Sequence, residues 1–524
     1  MRTGKGKSLM RVLLAAATGA CLLCGVPAAR AAAVVETVST CFVEPPEDAA
    51  SVPAHECGYV TVPEDRSAPA GRTVKLAFLR LKARTPGKAA PLFMLAGGPG
   101  NSLIKPEAFM LFSPPFLGPI LETRDVVILD QRGAGHTVPR LDCPEYYALP
   151  WTVLSRSLGT EAGIALADET LGRCVQEARR QGVDLAQYNS VAIAADVNAA
   201  REALGYDRIV YYGASYGAQL GQHVMRDFPG ILEAVVLDGA NALSRRSWIE
   251  DRALDADWSL RHLAELCESD QKCRASYDIP TLVERGLALF DEGPIPASYT
   301  DPKDPGTTLR FEVRQPDFVA LVYGFLGYKI GVASLPATLE QLVRGGRETM
   351  ATVLGPIIGA KVLASRGATS GEMAMLMHLA VVCSDDPVRS VDELVLDGVR
   401  SRFGRLFGLE TAREYVRYCA LAGVPSLPDA TDVDVTAAIP TLILSGGLDA
   451  QTPTFRSEVV ARALPEARLV VFRDGTHVQV GAINLCAGRI MAQFVRDPKG
   501  PLPLECVEEL RFPGFVLPDG NMSR

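Results

Sequence analysis

The stretch Ile209-Val-Tyr-Tyr-Gly213-Ala214-Ser215-Tyr216-Gly217-Ala218 decides the fold. Its first four residues are β-branched or aromatic, the composition of a buried strand. Ala218 to Asp227 then reads as a helix that stops at Phe228-Pro229-Gly230. A G-x-S-x-G sequence between a strand and a helix is a sharp turn that lifts the serine hydroxyl above the carboxyl end of a sheet. The small residues around Ser215 let the backbone turn, and the new helix offers its free amino-terminal N–H groups beside the hydroxyl.

Working outward, the neighbouring segments repeat the pattern. Val74–Leu81, Pro91–Ala96, Asp125–Asp130 and Ala234–Leu237 read as strands, and Ile193–Leu204 as a helix ended by Gly205. Fully apolar strands alternating with helices imply a mostly parallel sheet with helices on both faces. From Leu243 to Ala437 strand signals thin out, and helical stretches dominate, such as Trp248–Glu268 and Phe318–Arg347. A Pro/Gly/Asp-rich loop is expected at Glu292–Thr308. Strands return at Pro440–Leu444 and Ala467–Phe472, and a last helix is expected at Gly481–Phe494. The expected division is a core half at 34–242, a helical cap at 243–437 and a second core half at 438–524.

A serine hydroxyl is a weak nucleophile near neutral pH and needs a base. The chain has six histidines. His55 precedes the parallel sheet, His136 sits in a glycine loop, His223 lies two turns down the helix after Ser215, and His262 and His378 fall in the expected cap. His477 directly follows the strand ending at Phe472, the loop position where this arrangement places a base. Asp449 follows the preceding strand through Ser445-Gly-Gly-Leu and supplies an acid to orient the imidazole. The order Ser215, Asp449, His477 is the one such a sheet requires. Gly97-Gly98-Pro99-Gly100 follows another strand and would bring the Gly98 N–H toward a developing oxyanion, with the Tyr216 N–H as second donor. No Lys-Ser/Thr follows these glycines, which excludes a phosphate-binding loop.

The first residues differ from the rest. Arg2, Lys5, Lys7 and Arg11 precede an apolar run, Val12–Val26, which ends in Ala29-Arg30-Ala31-Ala32. Cations, a short apolar run and an A-x-A site read as a secretory signal peptide over 1–31 rather than a membrane span. Cys21 and Cys24 lack a good lipobox. Removing this leader takes five cations and no acids, so the net charge moves from −8 to −13. So acidic a chain is not a nucleic-acid binder. Ten cysteines remain after the leader, an even number that suggests disulfides in an exported chain. Ten cysteines allow roughly 945 pairings; joining neighbours is the simplest. The one C-x-x-C, Cys21 to Cys24, lies in the leader, so no metal site and no cofactor are expected.

Together these residues resemble the proline iminopeptidase and tripeptidyl aminopeptidase group of α/β-hydrolases. The group's G-G-P-G turn stands at Gly97–Gly100, its D-Q-R-G-x-G-x-S/T sequence at Asp130–Thr137 and its G-x-S-Y-G elbow at Gly213–Gly217. The cap is recognisable mainly from Cys267, Cys273 and Cys383-Ser-Asp-Asp386. Two departures stand out: Ala96 replaces the histidine many members carry before the glycines, and His136 replaces a commonly small residue. The resemblance implies an α/β-hydrolase fold and a secreted or periplasmic serine protease of the aminopeptidase kind. It would release one or a few residues from peptide amino termini through an acyl-enzyme, with Ser215, Asp449 and His477 catalytic and Gly98 and Tyr216 as the oxyanion hole. Cap carboxylates such as Glu250, Asp251, Asp385 and Asp386 are candidates for the substrate's ammonium. The alternative is a carboxylesterase or lipase with the same triad, since some relatives are described so. Peptides or small esters are the expected partners, with no nucleic acid and no stable membrane insertion once the leader is cleaved. A non-catalytic binding protein would lack a triad member, and all three are present.

Overall fold

The computed structural model describes residues 33–46, 52–113, 116–245, 249–327, 329–385 and 387–524. The leader expected at 1–31, Asp386 and Trp248 lie outside the described residues. Residues 33–524 form one compact unit.

In chain order the strands are β1 (Val34–Thr37), β2 (His55–Pro63), β3 (Thr73–Leu81), β4 (Leu92–Leu95), β5 (Val126–Leu129), β6 (Ile209–Ala214), β7 (Leu232–Asp238), β8 (Ile295–Asp301), β9 (Asp304–Val313), β10 (Thr441–Gly446) and β11 (Ala467–Phe472). Among the described residues nine of them form one sheet in the order β1-β2-β3-β5-β4-β6-β7-β10-β11. The pairs from β5 to β11 are parallel, and β1, β2 and β3 add an antiparallel edge. The central strands β4, β5 and β6 are buried at every residue, which is why they read as continuous apolar runs. Alternate residues feed two cores: Ile209 and Tyr211 pack on one face, Val210 and Tyr212 on the other.

The helices that matter for the site are α1 (Thr160–Arg180), α2 (Ser190–Ala203), α3 (Tyr216–Asp227), α4 (Arg252–Ser269), α5 (Gln315–Leu326), α6 (Lys329–Ala364), α7 (Met375–Asp385), α8 (Arg402–Ala422), α9 (Thr454–Ala463) and α10 (Leu485–Arg496). Between β7 and β10 the chain packs α4, α5, α6 and α8 around a third core that includes Leu263, Leu282, Phe318, Leu339 and Phe403, while α7 joins the first core through Met377, Leu379 and Ala380.

Three local expectations are corrected. Most of the segment read as a loop at Glu292–Thr308, from Ile295 on, lies in the β8–β9 hairpin, where exposed residues of β8 alternate with half-buried ones. The helix expected from Phe318 to Arg347 is two, α5 and α6, and α6 is itself broken at Gly346, with φ 63°. The last helix begins at Leu485 rather than Gly481, because Asn484 caps it by accepting the Cys486 and Ala487 N–H groups. The chain's end also leaves the sheet: Phe512 and Phe515 join the third core, and the Val516 N–H donates to the Ala333 carbonyl. Five disulfides join neighbours: Cys41–Cys57, Cys143–Cys174, Cys267–Cys273, Cys383–Cys419 and Cys486–Cys506. Among the described residues no helix is long and apolar enough to cross a membrane.

Candidate active site

The carboxyl ends of β4, β6, β7, β10 and β11 meet along one edge of the sheet, where open parallel sheets place their ligands. Ser215 stands at the end of β6 with φ 56° and ψ −119°, a conformation a side chain rarely adopts. Its N–H donates to the Asp238 carbonyl at 2.8 Å. The strained turn aims the serine off the sheet as α3 begins.

His477 and Asp449 come together: Nδ1 donates to the Asp449 Oδ2 at 2.8 Å. A carboxylate only accepts, so the imidazole keeps its proton on Nδ1 and leaves the Nε2 lone pair for a hydroxyl. A serine–histidine bond of this kind often tightens only when substrate binds. Asp449 is fully buried and also accepts the Gln451 and Thr452 N–H groups at 2.7 and 2.9 Å and the Thr452 hydroxyl at 2.6 Å. Burial alone would raise its carboxyl, but His477 and Thr452 outweigh it and hold the group below the usual carboxylate range. The Thr452 hydroxyl also lies 3.2 Å from His477 Nδ1. Sequence reasoning missed Thr452; its signal is a hydroxyl three residues after the acid, where the turn folds back on the carboxylate.

The turn after β4 packs against the serine. A Cβ on Gly97 would stand 2.8 Å from both the Ala214 carbonyl and the Ser215 Cβ, so only glycine fits. The turn's carbonyls are tied down: Gln131 Nε2 donates to Ala96 at 2.8 Å, His378 Nδ1 to Pro99 at 3.0 Å and the Ala374 N–H to Gly100 at 2.9 Å. His378 takes the Tyr415 hydroxyl on its other nitrogen at 2.6 Å, and burial lowers it to about 4, so it works as a neutral brace. The first N–H of α3, on Tyr216, has no intrahelical partner. The Tyr216 hydroxyl donates to Ser190 Oγ at 2.7 Å, because Ser190 gives its own proton to Asp385.

The other singled-out residues take structural places. Asp385 is buried on Ser190, and Asp251 is buried against Arg245 and Arg456, so neither is available for a substrate ammonium; Glu250 is half-buried. Arg132 is wholly buried and grips Asp196 through two bonds of 2.6 and 2.7 Å. His136 stacks on Phe42 and bonds the Ile104 carbonyl. His223 is buried, and burial lowers it to about 3. A cavity of about 910 Å³ lies beside His477, lined by Gly327, Ile330, Gln479, Ile483, Leu485 and Leu510 among others.

A sequence model of the alpha/beta hydrolase fold matches residues 90–480. The chain belongs to the α/β-hydrolase family. Its sequence is similar to serine protease Hip1 of Mycobacterium tuberculosis, 27% identical over 462 residues and 84% of each chain. It is 30% identical to the tripeptidyl aminopeptidase of Streptomyces coelicolor over 208 residues, 38% of each chain. It is also 30% identical to carboxylesterase B of Mycobacterium tuberculosis over 267 residues, 49% of this chain and 50% of that one. The protein is thus a serine hydrolase of this fold with protease and aminopeptidase relatives.

Proposed function

We propose that the protein is an exported aminopeptidase that releases one or a few residues from peptide amino termini. The observation that carries the reading is the buried Asp449–Thr452–His477 cluster on the same sheet edge as the strained Ser215 turn. Ser215 Oγ attacks the scissile carbonyl as His477 Nε2 takes its proton. The Gly98 and Tyr216 N–H groups receive the oxyanion, and His477 returns the proton to the leaving amine. Water then clears the acyl-enzyme by the same route. Residues 243–437 act as a cap over the two core halves, 34–242 and 438–524.

The protease and aminopeptidase names of two relatives support a peptide substrate. The carboxylesterase relative favours a second reading, ester hydrolysis with the same triad. Five disulfides suit an oxidising compartment and support export through the leader at 1–31. The test compares amino-acyl and short-peptide anilides with free amino termini, the same compounds amino-blocked, and short-chain aryl esters, with Ser215→Ala as control. Cleavage of free-terminus anilides alone establishes an aminopeptidase. Cleavage of esters alone overturns the peptidase reading, and full activity in Ser215→Ala overturns the triad.

A further inference from the structure

We propose that Asp238 is a positioning residue that clamps the loop carrying His477 to the turn carrying Ser215. The proposal rests on the reading of these two residues as base and nucleophile.

Asp238 ends β7, the strand between the one that carries Ser215 and the one that leads to Asp449. It is wholly buried and every polar atom of its carbonyl and carboxylate is used. The carbonyl accepts the Ser215 N–H at 2.8 Å. Oδ1 accepts the Gln479 N–H at 2.7 Å, and Oδ2 accepts the Val480 N–H at 2.8 Å and the Tyr212 hydroxyl at 3.0 Å. One residue therefore grips both the nucleophile's own amide and the two amides that lie second and third after the base.

The loop needs that grip. Val478, between His477 and the captured amides, has φ 57°, a region that a β-branched residue avoids. Such a residue stays there only when its surroundings hold it. The next residue, Gly239, packs the clamp against the other side of the site: its N–H bonds the Leu444 carbonyl at 2.9 Å, and a Cβ would stand 2.8 Å from Thr452 Oγ1 and 3.5 Å from His477 Cε1.

The chemistry explains why the residue is a carboxylate. Two backbone donors approach two different oxygens, and an asparagine would turn an NH2 group toward one of them. Burial pushes the Asp238 carboxyl up to about 6, against the two amides, Tyr212 and His477, which favour its charge. A charge kept in so dry a place, with no cationic side chain among its hydrogen-bond partners, suits orientation of the loop.

The experiment measures kcat and KM of the purified full chain, wild type and Asp238→Asn, on whichever amino-acyl anilide or aryl ester the wild type cleaves, beside thermal melts. The expected result is kcat lower by about 10²-fold, the scale of a displaced catalytic group, with KM within about threefold. Val478→Gly placed in the Asp238→Asn background should restore part of kcat, since glycine holds the loop's backbone shape without strain. A kcat within about threefold of wild type overturns the clamp, as does a loss matched by the unfolded fraction at the assay temperature. Should Asp238→Asn fail to fold, Tyr212→Phe deletes one of the three bonds and keeps the ring: a several-fold fall in kcat at constant KM supports the clamp, and an unchanged kcat overturns it. Ser215→Ala separates the two readings. Its inactivity beside a fully active Asp238→Asn sinks the clamp alone, whereas hydrolysis by Ser215→Ala sinks the triad.

Discussion

Replacing Thr452 by valine tests the acid–base pair most sharply. Valine keeps the side chain's shape and both backbone donors and deletes one hydroxyl. That hydroxyl is one of four donors on Asp449; the Gln451 and Thr452 N–H groups and His477 Nδ1 remain. A hydrogen bond to a charged group contributes about 1.5–3 kcal/mol. If all of it served the transition state, kcat would fall by about 10- to 150-fold, at about 1.4 kcal/mol per factor of ten. Three surviving donors still fix the carboxylate, so a fall near the lower bound, about tenfold, is expected. The hydroxyl also sits 3.2 Å from His477 Nδ1, and its loss lets the imidazole tilt. Tilt of the base slows proton transfer without touching substrate binding, so the loss belongs in kcat and not in KM. The assay is initial rates on a chromogenic anilide or ester with thermal melts in parallel, and Thr452→Ser, which keeps the hydroxyl, should stay within about threefold of wild type. A valine variant with wild-type kcat, or one whose loss lies wholly in KM, would refute the reasoning.

Gly97→Ala should lower kcat by about 10²-fold or more, since the new methyl displaces the turn proposed to carry one oxyanion donor; activity within threefold would show that the turn does not face the reaction centre. Arg132→Met leaves Asp196 buried with Arg66 as its remaining partner and should lower unfolding free energy by about 3 kcal/mol in urea titration, a loss below about 1 kcal/mol counting against it. Asp385 has its carboxyl raised to about 6 by burial, so the folded state takes up a proton more readily than the unfolded one between that value and the ordinary carboxylate range. Folding stability from this group is therefore gained as pH falls from about 6 toward the ordinary carboxylate range, by on the order of 3 kcal/mol in all and roughly half of that by pH 5. Melting wild type and Asp385→Asn side by side should show the difference moving in favour of wild type from pH 8 to 5, and a constant difference would contradict the sign.

The parts of the fold that were legible in the sequence are those buried on both faces. β4, β6 and β7 are nearly unbroken apolar runs, so their ends, and hence the positions of Ser215 and the glycine turn, could be read within two residues. His477 and Asp449 could be singled out because few histidines compete for a loop at a strand's end, and the structure joins the two by a hydrogen bond. β2 and the β8–β9 hairpin escaped because one face or both meet solvent and the residues there are mixed. The start of α10 was misplaced because residues 478–484 carry a helical composition, yet Gln479 and Val480 are held in another shape by donating to Asp238, at the end of a strand two places from β11. Asp238 was missed because its importance lies in a contact with a residue 241 positions away, which no local pattern records, whereas Thr452 carried only the slight local signal of a hydroxyl three residues after Asp449.

The helices between β7 and β10 are fastened into the site, and this bears on how substrate reaches Ser215. α7 braces the glycine turn through His378 and Ala374, and Asp385 at its other end holds Ser190, the partner of the Tyr216 hydroxyl. The Cys383–Cys419 disulfide ties α7 to α8. The start of α4 is locked to α9, the helix after the acid, by Arg456, which meets Asp251 and Asp255 at 3.0 Å each. Breaking one partner out of a buried ion cluster costs about 3–5 kcal/mol, and each buried hydrogen bond about 1 kcal/mol more. Swinging these helices away as one lid would thus cost an amount comparable with the whole stability of a domain, about 5–15 kcal/mol. Motion that leaves these anchors intact is the cheaper kind, and the cavity beside His477 is lined by Gly327, Ile330 and Ala482 to Leu485. Ile483 and Leu485 are 59% and 51% exposed there and form an apolar rim. On the proposed aminopeptidase reading the leaving amine takes its proton from His477, and His477 lines this cavity.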